Sequence, residues 1–253
     1  MNPANTIIEL LNLAETNRSA FRTTIKSRNA DELEEFCRVS NALFPNRSWP
    51  LVACAKVLSH KRKDDHVAHI MEMALLIPPV DFHAITNYAR ALYLTGRCAE
   101  IPAHINRHLP REDDQEQALL LYHKANALFD LKQTEEAILV ATKAYNTYSE
   151  SDEVTFIYGY ALYMQKNFTK AISLYYKAIS LDSEMNFAYF YIALAYLDCG
   201  YYTNAMNTLL KLKEVGAEYL ALMKEFPQFR KLLDTEHGGV FRDLLALKGI
   251  TLS

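Results

Sequence analysis

Apolar and polar residues follow one another along this chain with the spacing of amphipathic helices, and the pattern recurs every 34 residues. In the C-terminal half, small residues recur at two fixed places in each repeat, and bulky apolar residues fill the places between them. The small residues form three pairs, Ala125 with Ala137, Gly159 with Ala171, and Ala193 with Ala205. Because two antiparallel helices approach to about 8 Å only where one presents Gly or Ala, each pair predicts a helical hairpin.

The same period continues towards the N-terminus after a shift of two residues near Gln117, with weaker agreement. In the first N-terminal window, Phe21 and Leu33 replace both small residues. The period therefore predicts three degenerate repeats within 14–115 and three clear repeats within 118–219. The six windows are 14–47, 48–81, 82–115, 118–151, 152–185 and 186–219.

The segments outside the repeats, 1–13 and 220–253, are expected to cap the two ends. A single hairpin cannot bury its apolar face, so the outermost hairpins of a stacked array need covering elements. The tail carries two short amphipathic copies, FRKLL at 229–233 and FRDLL at 241–245. We interpret them as capping helices, and the alternative is a mobile docking segment.

These features resemble the tetratricopeptide repeat family, whose 34-residue unit is a helix-turn-helix with small residues at its eighth and twentieth positions. The resemblance implies an all-α fold, a right-handed α-solenoid of about six hairpins with capping helices, in one continuous domain. It also implies a non-catalytic protein-interaction scaffold or adaptor that binds a peptide or helix in a concave groove. A subunit of a larger assembly and a chaperone-like holder both remain open.

The resemblance places the groove residues on the first helix of each unit. Its ninth position changes from cationic to apolar through the six windows, and neighbouring positions repeat this change. The gradient predicts a protein or peptide partner with an acidic part and an apolar part. The alternative is that the aromatic residues pack between helices and the cations are solvated. The predicted partner-binding residues are Arg18, Arg22, Lys56, Arg90, Asn126, Phe156, Tyr160, Tyr163, Phe187, Phe190 and Tyr191.

Composition argues for a helix-rich globular protein and against several partner classes. Half of the 253 residues are apolar, and 27 Lys and Arg face 30 Asp and Glu, a net charge of −3. This balance disfavours nucleic acid, so a helical-repeat RNA-binding protein is only the alternative. The absence of a long apolar run predicts no membrane partner. Four scattered cysteines indicate reduced thiols and a cytoplasmic location, with a nuclear one left open.

Signals for catalysis or metal binding are weak. The pairs His66 with His69 and His104 with His108 have helical spacing, but the second pair has no apparent third ligand. No Gly-rich phosphate loop or activated nucleophile is recognisable. We therefore predict no enzyme activity, no catalytic residue, no metal and no cofactor. A homodimer, formed through an end or through a neighbour's tail, stays open.

Overall fold

The computed structural model describes residues 3–44, 46–247 and 249–250, and every regular element within them is helical. The protein therefore has the all-α fold that the periodicity predicts. The α-helices are α1 (Pro3–Thr16), α2 (Arg18–Ile25), α3 (Ala30–Leu43), α4 (Trp49–His60), α5 (Asp64–Leu75), α6 (Phe82–Leu94), α7 (Ile101–Asn106), α8 (Asp114–Asp130), α9 (Thr134–Thr147), α10 (Asp152–Met164), α11 (Phe168–Leu181), α12 (Ala188–Asp198), α13 (Tyr202–Val215) and α14 (Gly238–Leu247). Three 3₁₀ helices span Cys98–Glu100, Ala217–Glu225 and Pro227–Asp234.

The chain divides into two compact units, residues 1–111 and 112–253. In the second unit, α8 packs with α9, α10 with α11, and α12 with α13, which confirms the three hairpins. Aspartate or serine side chains start two of these helices. Asp113 accepts a hydrogen bond from the backbone N–H of Glu116, and Ser151 accepts one from Val154. The six small residues of the three pairs are all buried, as expected for helix crossings.

The backbone itself repeats with the predicted period. Five residues adopt the left-handed conformation, with φ between 55° and 77°, at the turn between the two helices of a window. Their spacing is 34 residues except for one step of 36, which matches the two-residue shift near Gln117. The five residues are Arg62, Gly96, Lys132, Lys166 and Gly200.

Replacing Lys166 by glycine should stabilise the protein by about 1 kcal/mol. A residue with a Cβ atom is strained at positive φ, whereas glycine is not. Thermal or urea unfolding would measure the change. The exposed Lys143 lies within α9 and serves as the matched control, because Lys143→Gly should cost about 1 kcal/mol. Equal losses from both changes would contradict the explanation.

The first unit begins differently from the later repeats. Asn17 separates α1 from α2 and accepts a hydrogen bond from the backbone N–H of Ala20. Helix α1 packs against both α2 and α3. The ring of Phe21 is fully buried, with its centroid 5.4 Å from that of Phe36 and 5.3 Å from that of Trp49. A large residue therefore fills the place where later repeats have a small one.

The C-terminal tail packs on the last helical pair. The 3₁₀ helix Pro227–Asp234 contacts α12, and Ala217–Glu225 contacts α13. Five tail side chains are fully buried in one apolar cluster with residues of α12 and α13. They are Leu220, Met223, Phe229, Leu232 and Phe241.

Candidate functional site

The first helices of the three C-terminal repeats carry a connected row of aromatic side chains, which we call the aromatic face. The ring centroid of Phe129 on α8 lies 4.8 Å from that of Tyr160 on α10, which lies 5.5 Å from that of Tyr191 on α12. A second line joins Phe156 to Phe187 at 4.7 Å. All these partners are 31 residues apart, three fewer than the period, so each line shifts by about one helical turn per repeat. The aromatic face comprises these five residues and Tyr163.

The aromatic face combines rigid packing with accessible surface. Tyr160, Tyr163, Phe187 and Tyr191 are partly exposed, whereas Phe156 is only 9% exposed. The Tyr163 hydroxyl donates to Asp198 Oδ2 at 2.5 Å. Burial, reinforced by this carboxylate, raises the pKa of Tyr163 well above its usual value, so the phenol remains a donor. Predicted residues of α10 and α12 are thus brought together on one surface.

The prediction that Phe190 binds a partner is wrong in this structure, because the side chain is fully buried. Its ring lies 5.2 Å from both Phe226 and Phe229 of the tail, measured between centroids. Leu194, at the ninth position of the same helix, is also fully buried. The tail covers on α12 the positions that remain partly open on α10.

A glycine shapes the packing beneath the aromatic face. Tyr175 of α11 is fully buried, and its ring centroid lies 5.2 Å from that of Phe156 and 6.0 Å from that of Tyr191. A Cβ atom at Gly159 would lie only 3.0 Å from Tyr175 Cε1. Among the described residues the Tyr175 hydroxyl has no hydrogen-bond partner. The absence of a side chain at Gly159 therefore makes room for this ring.

The predicted cations lie on the first unit, and all of them are exposed. Arg22, Lys56 and Arg90 form no ion pair with any described residue. Arg18 stacks on Trp49, with its Cζ atom 4.7 Å from the ring centroid. Asn126 is half-buried on α8 and belongs to the second unit. The structure thus places the cations and the aromatic face on different units.

The histidine pairs have protein partners. His66 Nδ1 and His69 Nε2 both face the carboxylate of Glu34, the second at 3.6 Å. The buried His104 donates from Nε2 to the carbonyl of Ile85 at 3.0 Å. Within the described ranges, no three His, Cys, Asp or Glu residues are grouped so that they could hold a metal ion. None of the helices described has both the length and the apolar character needed to cross a bilayer.

Comparisons with known proteins agree with this geometry. The family model for "Anaphase-promoting complex, cyclosome, subunit 3" matches residues 130–212, about a third of the chain. The crystal structure of TTC0263, a thermophilic TPR protein of Thermus thermophilus, superposes with a TM-score of 0.59. It is 18% identical, over 70% of this chain and 95% of that one. The chain is built of tetratricopeptide-type repeats. Such repeats support protein-interaction scaffolds and are typically non-catalytic.

Other tetratricopeptide-type structures are similar at a lower level. YrrB, described as a TPR protein with an unusual peptide-binding site, has a TM-score of 0.48 and 16% identity, over 74% of this chain and 95% of that one. A crystal structure of MamA also has a TM-score of 0.48, with 19% identity, over 65% of this chain and 95% of that one. No curated protein sequence matches this chain. At these identities the likeness concerns the fold alone.

Proposed function

We propose that this chain is a non-catalytic protein-interaction scaffold whose aromatic face binds an apolar segment of a partner protein. The observation that supports this most is the row of partly exposed aromatic rings held in mutual contact on α10 and α12. Tyrosine offers a large contact area at little cost in conformational entropy, because it has few rotatable bonds. Rings already fixed by their neighbours lose still less freedom on binding.

The tail supports this proposal because it already packs apolar side chains on equivalent positions. Leu194 and Leu197 of α12 are buried beside the tail in one apolar cluster. The residues 34 positions earlier are Tyr160 and Tyr163, which remain partly exposed. Asp198 at this edge also faces Lys231 of the tail, with 3.8 Å between Oδ1 and Nζ. A partner segment would contact α10 much as the tail contacts α12.

The acidic part of the proposed partner would contact the first unit. Arg22, Lys56 and Arg90 are exposed and unpaired among the described residues, so they could meet carboxylates without losing existing ion pairs. A subunit that organises an assembly and a chaperone-like holder would both use these surfaces. Homodimerisation would use the aromatic face for a second copy, and light scattering distinguishes this case.

Tyr160→Ala and Tyr191→Ala should each weaken partner binding by on the order of 2 kcal/mol, about 30-fold, if these rings are hot spots. Peptides selected from a random display library on the wild-type chain supply the ligands. Isothermal titration then compares the variants at low and high salt. The loss at the two tyrosines should persist at high salt, because it does not depend on charge.

Tyr201→Ala is the matched control, since Tyr201 is 59% exposed and lies in the turn before α13, outside the aromatic face. A triple Ala variant of Arg22, Lys56 and Arg90 should weaken only acidic peptides, and mainly at low salt. If Tyr160→Ala and Tyr191→Ala bind every selected peptide as well as Tyr201→Ala does, the binding surface lies elsewhere.

A further inference from the structure

The first unit contains a polar cleft of about 440 Å³. It lies where the end of α1, the start of α2 and the start of α4 meet. Arg18 is the only cleft residue in the predicted partner-binding set. We call this the arginine cleft, and its lining residues are Ala14, Glu15, Arg18, Asn46, Arg47, Ser48 and Trp49.

Arg18 is an oriented cation without a carboxylate partner. Its guanidinium stacks over the Trp49 ring at 4.7 Å, and no described residue forms an ion pair with it. Stacking fixes the plane of the guanidinium but leaves the N–H groups along its edge available as donors. An ordered, unpaired guanidinium beside a cleft favours an anionic ligand.

Arg47 brings a second guanidinium to the same cleft. Its Cζ atom lies 5.0 Å from the centroid of the Phe44 ring, and Nη1 lies 3.2 Å from Glu15 Oε1. The Arg47 and Glu15 side chains are 48% and 41% exposed, so water screens this pair and the contact is weak. With two arginines and one glutamate, the lining retains an excess of positive charge.

The start of α4 adds neutral donors. Ser48 is the N-cap residue, but its side chain makes no capping hydrogen bond. Its hydroxyl is therefore not engaged by the helix, and the Asn46 carboxamide lines the same space. The first N–H groups of a helix also lack intrahelical acceptors. Donors thus outnumber acceptors around the arginine cleft.

We propose that the arginine cleft binds an oxyanion, a carboxylate or phosphoryl group, carried by an acidic side chain of the partner protein. The planar fork of each arginine matches two oxygens of either group. A volume of about 440 Å³ also admits the side chain that carries the anion. This inference rests on the proposed scaffold function, and it assigns the main acidic contact to Arg18 and Arg47.

Trp49 provides a direct readout, because it is the chain's single tryptophan and it lines the cleft. The probes are inorganic phosphate and three peptides of one acidic sequence with phosphoserine, glutamate or serine at the central position. Each is titrated at constant ionic strength while Trp49 emission is followed. We expect a saturable change with the phosphoserine peptide, the glutamate peptide or both, at much lower concentration than with the serine peptide.

Arg18→Gln and Arg47→Gln should each raise the half-saturating concentration about tenfold or more, as expected for the loss of one charge-assisted contact. Arg22→Gln is the matched control, since Arg22 lies on α2 but does not line the cleft. Arg18→Lys keeps the charge but loses the planar fork, so its effect should be intermediate. The half-saturating concentration is compared because Arg18→Gln itself alters the emission of Trp49. Circular dichroism confirms that each variant is folded.

Binding of the phosphoserine peptide alone identifies a phosphoryl site, and binding of both acidic peptides shows that a carboxylate suffices. Inorganic phosphate that competes with either peptide places the anion itself in the cleft. The inference is overturned if neither acidic peptide gives a saturable change, or if Arg22→Gln acts as strongly as Arg18→Gln. Tyr160→Ala and Tyr191→Ala alter the second unit, so a failure of the cleft remains distinct from a failure of the aromatic face.

Discussion

Replacing Phe190 by alanine should lower the free energy of unfolding by about 3–5 kcal/mol, the usual cost of removing a buried phenylalanine ring. Phe190 is fully buried and holds the tail through two ring contacts, one with Phe226 and one with Phe229. Alanine would leave a cavity between α12 and the tail. The variant should therefore lose stability and also loosen the segment 217–234.

Urea unfolding measures the first effect, and hydrogen exchange of the tail amides measures the second. Phe187→Ala provides the comparison, since Phe187 lies next to the same helix but is partly exposed. Its loss should be smaller, and the tail should stay protected. A Phe190→Ala loss below that of Phe187→Ala, with an equally protected tail, would show that the tail does not depend on Phe190.

The error over Phe190 has a physical cause. The rule that the fifth position of a first helix lines a groove describes internal repeats, as Phe156 illustrates with its remaining 9% exposure. Helix α12 belongs to the last repeat, where the chain's own tail covers the same positions. The composition of FRKLL at 229–233 predicts an amphipathic segment, but no local pattern states which helix it covers.

The period of the small residues was sufficient to predict the helical pairs of the second unit. Small residues and turn residues both follow it, since Lys132, Lys166 and Gly200 share one backbone conformation. The start of the chain was harder to predict, because α1 replaces part of the expected hairpin packing. Phe21 could be recognised as a departure from the pattern, but its aromatic partners Phe36 and Trp49 depend on tertiary packing.

The two surfaces differ in how far periodicity could predict them. Tyr160 and Tyr191 occupy repeat positions on helices, so their common face follows from the register. Arg18 was predicted in the same way, but Arg47 and Ser48 lie in the connection before α4. Residues in a connection follow no helical period, and only the fold brings them beside Arg18. The arginine cleft therefore requires the structure, whereas the aromatic face could be predicted in part.

Gly159→Ala should destabilise the protein by roughly 1–3 kcal/mol, because the added Cβ atom would lie 3.0 Å from Tyr175 Cε1 and overpack the crossing of α10 and α11. The next repeat solves the same crossing with a different pair. There Ala193 replaces the glycine, and Leu209 replaces the tyrosine 34 residues later than Tyr175. The two positions should therefore be energetically coupled.

The double variant Gly159→Ala/Tyr175→Leu tests this coupling. With leucine at 175, alanine at 159 should stabilise α10 by up to about 1 kcal/mol, because alanine favours a helix more than glycine does. Leu174 Cβ, 3.3 Å from the new methyl group, should reduce part of this gain. Urea unfolding of the four proteins gives the coupling energy, which we expect to be about 2–3 kcal/mol. Additive losses within about 0.5 kcal/mol would mean that the ring of Tyr175 does not need the glycine.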